Sequence, residues 1–534
     1  MGACRGLTSG QPYTDMPIPT LVVSSLLQVC LAGSAAGPAD APAPVWVFFK
    51  DNRATPASIA DTALTPRALA RRALRRTLPG LFDVHDVPMP TTRATAVTGT
   101  GAQLRTQSRW LCAVSAMATP KQIEALRGLP DVTHVEAVGR GRAGWQDEQE
   151  LPPPEGWAAG IDYGAANPQL TQIDIPRLHA RGYTGTGMVI GVLDTGFNRV
   201  HEAFTNPAHP LRVIAEWDFI NNDGNTGIQA GDNSEQHKHG TWILGTMGAY
   251  SPGSMVGAAY DAEFILCKTE DVPTETPIEE DYYVAGLEFI EARGADVATS
   301  SLGYIDWYTQ ADLNGNTAVT TVAVNVATEN GVVCCTAAGN AGHDANPTTS
   351  TLGAPADAYN VLTCGAVDIN GAIVGFSSSG PTADGRLKPE ILACGLNTVT
   401  VNSTSVTGLS GVSGTSLSTP LIAAAAACIL QARPDYGVAE IREALFATAS
   451  RSDAAGLHPD PLFVEGHGIM RAYAAAARGL RTADLNWDGF VNGIDLGLML
   501  GQWGQTGVPG SVFGDVTLDG VVGGADIGGL LGQW

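Results

Sequence analysis

The chain has 534 residues, 64 of them Gly and 32 Pro, with only 16% charged side chains; this composition excludes a coiled coil or a disordered polar chain, and the length fits about two to four domains. A net charge of −23 argues against nucleic acid or an anionic membrane surface as partner. The charge is unevenly placed: residues 44–145 carry 14 basic and 7 acidic side chains, whereas residues 146–534 carry 15 and 44.

Residues 20–33 form a short apolar run followed by Ser34-Ala35-Ala36, an export pattern. Residues 1–36 are therefore expected to be a signal peptide or leader, and the protein secreted, extracellular or attached to the cell surface. The run is short for a bilayer span, and no transmembrane helix is expected. The nine cysteines contain no Cys-x-x-Cys, so neither a zinc nor a disulfide framework is written in them.

Residues 44–138 read as a small α+β unit. Residues 45–49, 110–114 and 132–138 are strand-like. Thr119-Pro120-Lys121-Gln122 opens a helix, with Thr as N-cap, Pro in the first turn and Gln three residues on. Residues 139–160, with Pro152-Pro153-Pro154, are expected to be a linker. Residues 161–478 alternate continuous apolar runs (188–193, 264–267, 297–301, 332–338, 361–367) with helical patterns (278–293, 318–330, 417–432). That alternation predicts an α/β fold whose mainly parallel sheet is covered on both faces.

Three short motifs lie along this region. Val192-Leu193-Asp194-Thr195-Gly196 ends a predicted strand, His239-Gly240-Thr241 opens a helix, and Gly414-Thr415-Ser416-Leu417-Ser418-Thr419-Pro420 is a turn into an Ala-rich helix. A serine hydroxyl needs a neighbouring base to become a nucleophile. An imidazole supplies one near neutral pH, and a carboxylate holds its tautomer. His237 is a rival base, without the Gly-Thr that follows His239.

In this order the motifs resemble those of the subtilisin-like serine peptidases (the subtilases, peptidase family S8). Ala295-Asp296-Val297 leading to Ser301-Leu302-Gly303 resembles the family's substrate-binding strand. Ala337-Ala338-Gly339-Asn340 resembles its oxyanion segment, and Phe376-Ser377-Ser378-Ser379-Gly380-Pro381 through Lys388-Pro389-Glu390 another family block. The resemblance implies the subtilisin-like three-layer fold over 161–478 and a serine endopeptidase that works through an acyl-enzyme. It makes Ser416 the nucleophile, His239 the general base and Asp194 its orienting carboxylate. Asn340 and the Ser416 N–H would hold the oxyanion, and Ser301, Leu302 and Gly303 the substrate backbone. The departures are Leu417-Ser418 where the family usually has Met-Ala, Trp242 where a second His is common, and Cys394 where Pro usually precedes Gly395. Residues 44–138 resemble the family's inhibitory propeptide. Such a basic segment would dock on the acidic remainder with electrostatic help and be removed by a cut within 139–161, where Arg140 and Arg142 lie.

The C-terminal residues contain a repeat. Asp484-Leu485-Asn486-Trp487-Asp488-Gly489 returns 31 residues later as Asp515-Val516-Thr517-Leu518-Asp519-Gly520, each followed by an apolar helix ending in Gly-Gln-Trp. Asp484, Asn486, Asp488, Asn492 and Asp495 stand at positions 1, 3, 5, 9 and 12 of a calcium loop; Asp515, Thr517, Asp519 and Asp526 stand at 1, 3, 5 and 12 of a second. Residues 482–534 resemble the duplicated loop–helix of dockerin modules. That implies two bound calcium ions and a cohesin-like partner that attaches the enzyme to a scaffold or surface. Two alternatives stay open: the repeat as a calcium-stabilised cap without a partner, and the whole chain as a catalytically inactive, calcium-dependent attachment protein.

Overall fold

The computed structural model describes residues 41–58, 62–139, 146–150, 161–272, 279–304, 308–453, 456–457, 460–480, 482–488, 490–507, 512–517 and 519–534. The chain divides into a short unit, Met1–Ala41, and a body, Pro42–Trp534, which holds all the described helices and strands. The expected leader (1–36), Arg140, Arg142, the Pro152–Pro154 stretch, Gly489 and Leu518 lie outside the described residues.

The N-terminal part of the body is an antiparallel sheet with order β2-β3-β1-β4, where β1 is Ala43–Phe49, β2 Gln103–Ser108, β3 Ala113–Ala118 and β4 Val132–Ala137. Three helices accompany it: α1 (Pro66–Arg75), α2 (Thr91–Gly99) and α3 (Pro120–Arg127). The predicted capping box forms, Thr119 accepting from the Gln122 N–H while the Gln122 side chain reaches back. The strand expected over 110–114 is displaced to β3. Residues 110–112 are a turn in which Cys112 takes φ +52°, and Trp110 is buried by packing rather than by strand pairing. Within the expected 139–160 linker, Gln146–Glu150 forms a strand, β5.

The central sheet has seven parallel strands. They are β6 (Val189–Asp194), β7 (Arg212–Asp218), β8 (Glu263–Lys268), β9 (Val297–Ser300), β10 (Val333–Ala337), β11 (Leu362–Val367) and β12 (Ile391–Cys394), in the order β12-β11-β10-β9-β6-β8-β7. The five predicted strands are all among them, with ends shifted by one residue or so.

Burial on both faces explains their apolar runs. On β6, Ile190 and Val192 enter one core, with helices α4 (Lys238–Gly248) and α7 (Thr415–Ala432). Val189 and Leu193 enter the other, with α5 (Glu279–Ala292) and α6 (Val319–Glu329). This is the expected three-layer architecture. Helix α7 is long and apolar enough to cross a membrane, but 89% of it is buried, as in a core helix.

Beyond β12, strands β13 (Thr398–Val401) and β14 (Leu409–Ser413) pair antiparallel, and β5 adds to the outer edge of β14, with Gln146 opposite Ser413. Helix α8 (Val438–Thr448) follows α7. The C-terminal module packs α9 (Gly493–Leu500) and α10 (Gly524–Leu531) around Leu485, Val491, Met499, Val516, Val522 and Leu530.

The basic and acidic parts of the chain meet across α5. Trp46 and Trp110 are buried against it, Arg105 Nε lies 2.8 Å from Asp281 Oδ2, and the Ser108 hydroxyl and Trp110 N–H donate to Glu288. The Gly139 N–H donates to Glu280 Oε2 at 2.7 Å.

Candidate active site

Asp194 ends β6, at the carboxyl edge of the parallel sheet where sites collect. It is fully buried, and its Oδ1 accepts from the Thr195 N–H at 2.7 Å and from His239 Nδ1 at 2.8 Å. His239, also fully buried, sits in the first turn of α4. As an acceptor, the carboxylate fixes the proton of its imidazole partner on Nδ1.

The glycines of these motifs answer to space. A Cβ on Gly240 would lie 2.2 Å from the Gly196 oxygen, and one on Gly196, at φ +122°, 2.7 Å from the His237 ring. Thr241 ties the layer together: its hydroxyl donates to the His237 oxygen and accepts the Asn198 N–H. The rival His237 faces elsewhere, with Nε2 3.2 Å from Asp232 Oδ2 and burial pulling its pKa down.

Ser416 lies in the first turn of α7, 1% exposed. It and Ser301 exchange hydrogen bonds: the Ser301 hydroxyl donates to the Ser416 oxygen at 2.8 Å, and the Ser416 hydroxyl to the Ser301 oxygen at 3.2 Å. Ser301-Leu302-Gly303 continues from β9, Ser301 and Leu302 buried and Gly303 half-buried. A Cβ on Gly303 would meet nothing closer than Gly353 Cα at 4.0 Å.

Asn340 follows β10 across Gly339, which takes φ +115°. Its Oδ1 accepts both the N–H and the hydroxyl of Thr415, each at 2.9 Å. Because a backbone N–H can only donate, this assigns the oxygen end of the amide to Thr415 and turns the NH2 end away from it. Ser378, from the Phe376–Pro381 block, buttresses the same segment: its N–H donates to the Gly339 oxygen and its hydroxyl accepts the Ala341 N–H. Lys388 and Glu390 form a buried ion pair at 2.7 Å that also holds the Thr363 N–H, a structural role under β11.

Of the departures, Trp242 is fully buried, its ring edge-on to His239 with centroids 6.5 Å apart. Cys394 ends β12, its carbonyl accepting the Thr398 hydroxyl. The structure thus gathers Asp194, His239, Asn340, Ser416 and Ser301 through Gly303 at one edge of the sheet. Thr195, Thr415 and Ser378 support them and were not singled out from sequence, although each stands inside a motif.

The expected metal residues lie in the C-terminal module. Asp495 Oδ2 accepts the Asn492 N–H and Oδ1 that of Leu485. Asp484 accepts the Asp488 N–H, and the Asn486 amide donates to Asp488. In the second loop Asp526 Oδ1 accepts the N–H and hydroxyl of Thr517, and Asp515 accepts the Asp519 N–H. Carboxylate oxygens of Asp515, Asp519 and Asp526 lie within 4.8 Å of one another, an all-oxygen donor set of the kind a hard cation takes.

Residues 185–468 match the subtilase family of S8 peptidases, and residues 44–150 the S8 propeptide domain of Bacteroidota. The chain is 29% identical over 378 residues to subtilisin E of Bacillus subtilis, covering 70% of this chain and 84% of that protein. It is 30% identical over 321 residues to a subtilisin of Bacillus pumilus, covering 60% of this chain and all of that one. Among solved structures, fervidolysin of Fervidobacterium pennivorans, a keratinolytic enzyme related to subtilisin, superposes with a TM-score of 0.55 at 19% identity, covering 82% of this chain. The chain spans 61% of fervidolysin's length, and that likeness concerns the fold.

Proposed function

The chain belongs to the subtilase family and is a subtilisin-like serine endopeptidase; on that premise we propose that it is a secreted enzyme acting through Ser416, His239 and Asp194, inhibited by its own N-terminal α+β unit (residues 44–138, hereafter the N-terminal unit) and attached to a partner through its C-terminal module. The observation that carries the catalytic part is the buried 2.8 Å bond between Asp194 and His239, together with the lock of Asn340 on the residue before Ser416.

His239, its Nδ1–H held by Asp194, takes the Ser416 proton on Nε2 as the oxygen attacks the substrate carbonyl. The Asn340 NH2 and the Ser416 N–H hold the oxyanion, donors fixed before charge develops. The tetrahedral intermediate collapses to an acyl-enzyme as His239 gives the proton to the leaving amine. Water then repeats the sequence with His239 as base. Ser301-Leu302-Gly303 pairs with the extended substrate by strand addition.

The inhibitor reading rests on the match of residues 44–150 to S8 propeptides and on the basic face that covers α5. Export rests on the leader pattern of residues 1–36. Calcium in the C-terminal module rests on the loop spacing and the Asp515, Asp519 and Asp526 cradle. When bound, the ion supplies charge neutralisation that lets each loop close on its helix.

Attachment to a cohesin-like partner rests on apolar side chains left exposed in duplicate at the same repeat positions: Phe490 and Val521, Leu500 and Leu531, Trp503 and Trp534. A second reading of the module, as a calcium-stabilised cap, is favoured by its seat on the peptidase domain. The Trp487 ring stacks on Tyr183 at 5.2 Å, and Arg181 donates to the Leu485 oxygen.

A fluorophosphonate probe should label the mature protein and fail to label Ser416→Ala, which should also remain uncut. Labelling of that variant, or its normal maturation, would reject Ser416 as nucleophile.

A further inference from the structure

The N-terminal unit carries a segment that its four-stranded sheet does not need. Residues 50–90 join β1 to α2 and contain α1, started by Thr65, whose hydroxyl accepts the Ala68 N–H, and by Pro66. Its sequence, Pro-Arg-Ala-Leu-Ala-Arg-Arg-Ala-Leu-Arg, places Arg67, Arg71, Arg72 and Arg75 on one helical face. By composition this face belongs in water. Instead Arg71, Arg72 and Arg75 are at most 5% exposed, while the apolar Leu74 at the flank of this face is 66% exposed. Arginine is buried this deeply only when paired.

Apart from Arg72–Asp86, which stays within the N-terminal unit, the pairs lie on the peptidase domain. Arg71 and Arg72 both engage Glu291, at the end of α5, and Arg72 also makes a bidentate pair with Asp86 at 2.7 and 2.8 Å. Arg75 lies 2.6 Å from one oxygen of Asp296, and Arg67 2.8 Å from the other. Arg71 Nη1 further donates to the carbonyls of Glu291 and Ala295, at the negative end of α5.

Beneath the helix the domain is flattened by glycine. A Cβ on Gly294 would lie 2.7 Å from the Ala68 nitrogen, and one on Gly331 2.7 Å from the Arg75 carbonyl carbon. Both take φ near +90°, so these positions suit glycine twice over. None of these residues belongs to the catalytic constellation.

We propose that Glu291, Asp296, Gly294 and Gly331 form a second docking surface, separate from the cleft and built for an arginine-bearing helix. Its occupant is α1, an anchor additional to the contacts of the four-stranded sheet on α5, which slows release of the N-terminal unit once the chain has been cut. The proposal rests on the reading of that unit as an inhibitor.

The test uses the full chain, allowed to process itself. Size-exclusion chromatography follows whether the cut N-terminal unit co-elutes, N-terminal sequencing follows the cut, and a small chromogenic peptide reports activity. The wild type should show the cut first and activity later, with the fragment retained. Arg75→Gln should be cut at the wild-type rate yet release the fragment roughly a hundredfold faster, the effect of stranding one buried charge. Asp296→Asn should reproduce this from the other side, and the double variant should be no worse than either alone. Arg67→Gln, whose side chain is 38% exposed, gives a milder increase without a risk to folding. Release at the wild-type rate in all of these variants would overturn the second surface while leaving the inhibitor reading intact. An uncut wild-type chain that hydrolyses the peptide at the full rate would overturn both.

Discussion

Thr415 donates its backbone N–H and its hydroxyl to the same oxygen of Asn340, each at 2.9 Å. The residue before the proposed nucleophile thereby sets the rotation of the amide that would meet the oxyanion. Thr415→Val keeps the shape and the backbone bond but removes the hydroxyl. We predict a fall in kcat of about tenfold with KM nearly unchanged, since the donor acts on charge present only in the transition state. Asn340→Ala should lose about 10²–10³ in kcat, the size known for one such donor in a subtilisin. Steady-state kinetics on a peptide substrate checks both; a rise in KM alone would instead mark Thr415 as a binding residue.

Asp194 and His239 are both fully excluded from water. Asp194→Asn keeps the volume but presents an amide that stabilises the wrong imidazole tautomer. The expected loss is about 10⁴ in kcat, the figure measured for the same exchange in a serine protease of another fold. Partial recovery of activity at high pH would be consistent with a tautomer effect; unchanged kinetics would remove Asp194 from the mechanism.

The candidate site was legible wherever its chemistry sits inside a contiguous motif, as with the proposed triad Asp194, His239 and Ser416. Their supports were harder to read. Thr415 and Asn340 are 75 residues apart, and only the adjacency of β10 to α7 joins them. Five of the seven central strands were legible because burial on both faces forces unbroken runs, whereas β7 and the four-residue β12 were not read from the sequence. Strands β13 and β14 were not, because short, mixed sequences such as Leu409–Ser413 owe their pairing to tertiary context. Helix α1 was hidden for the opposite reason: its buried face is written in arginine, which looks solvated until Glu291 and Asp296 supply the partners.

Gly240 offers a stability test that does not depend on catalysis. A methyl group there would overlap the Gly196 carbonyl at 2.2 Å and crowd Asp194 Oδ1 at 3.1 Å. Gly240→Ala should cost about 1–3 kcal/mol and abolish activity by separating the two motifs. Gly497→Ala, in α9 with open space around it, should instead stabilise its module by about 0.5–1 kcal/mol. Chemical denaturation of the two variants gives the comparison.

Glu280 should make docking of the N-terminal unit depend on pH. Burial lifts its carboxyl from 4.5 to about 7, against the pull of the Tyr308 hydroxyl and the Gly139 N–H. Uncovering should return it toward its ordinary range, so the docked form is the one that holds the extra proton. Docking is then strongest at low pH, weakens by up to roughly tenfold per unit as pH rises from 4.5 to about 7, and is flat above that. Retention of the cut fragment should be tighter at pH 5 than at pH 8, and Glu280→Gln should flatten the difference. Tighter retention at pH 8 in the wild type would reverse the assignment.

Trp487 stands between Asn486 and Asp488 in the first proposed calcium loop, at φ +59°, and its ring packs against Tyr183 and Arg181 of the peptidase domain. Loop closure and docking of the module therefore share one residue. If calcium closes the loop, its removal should free Trp487 and withdraw a contact from the peptidase domain as well. The Arg181 guanidinium lies 4.8 Å from the Trp487 ring centre, a contact worth about 0.5–2 kcal/mol. Chelation should accordingly lower the Tm of the peptidase transition by about 2–4 °C per kcal/mol lost, with a matching change in tryptophan fluorescence. Arg181→Ala should shrink the chelator-induced shift while the module's own helix content still responds to calcium. An equal shift in both proteins would mean that the two domains do not communicate through Trp487, and a module indifferent to calcium would reject the loops as metal sites.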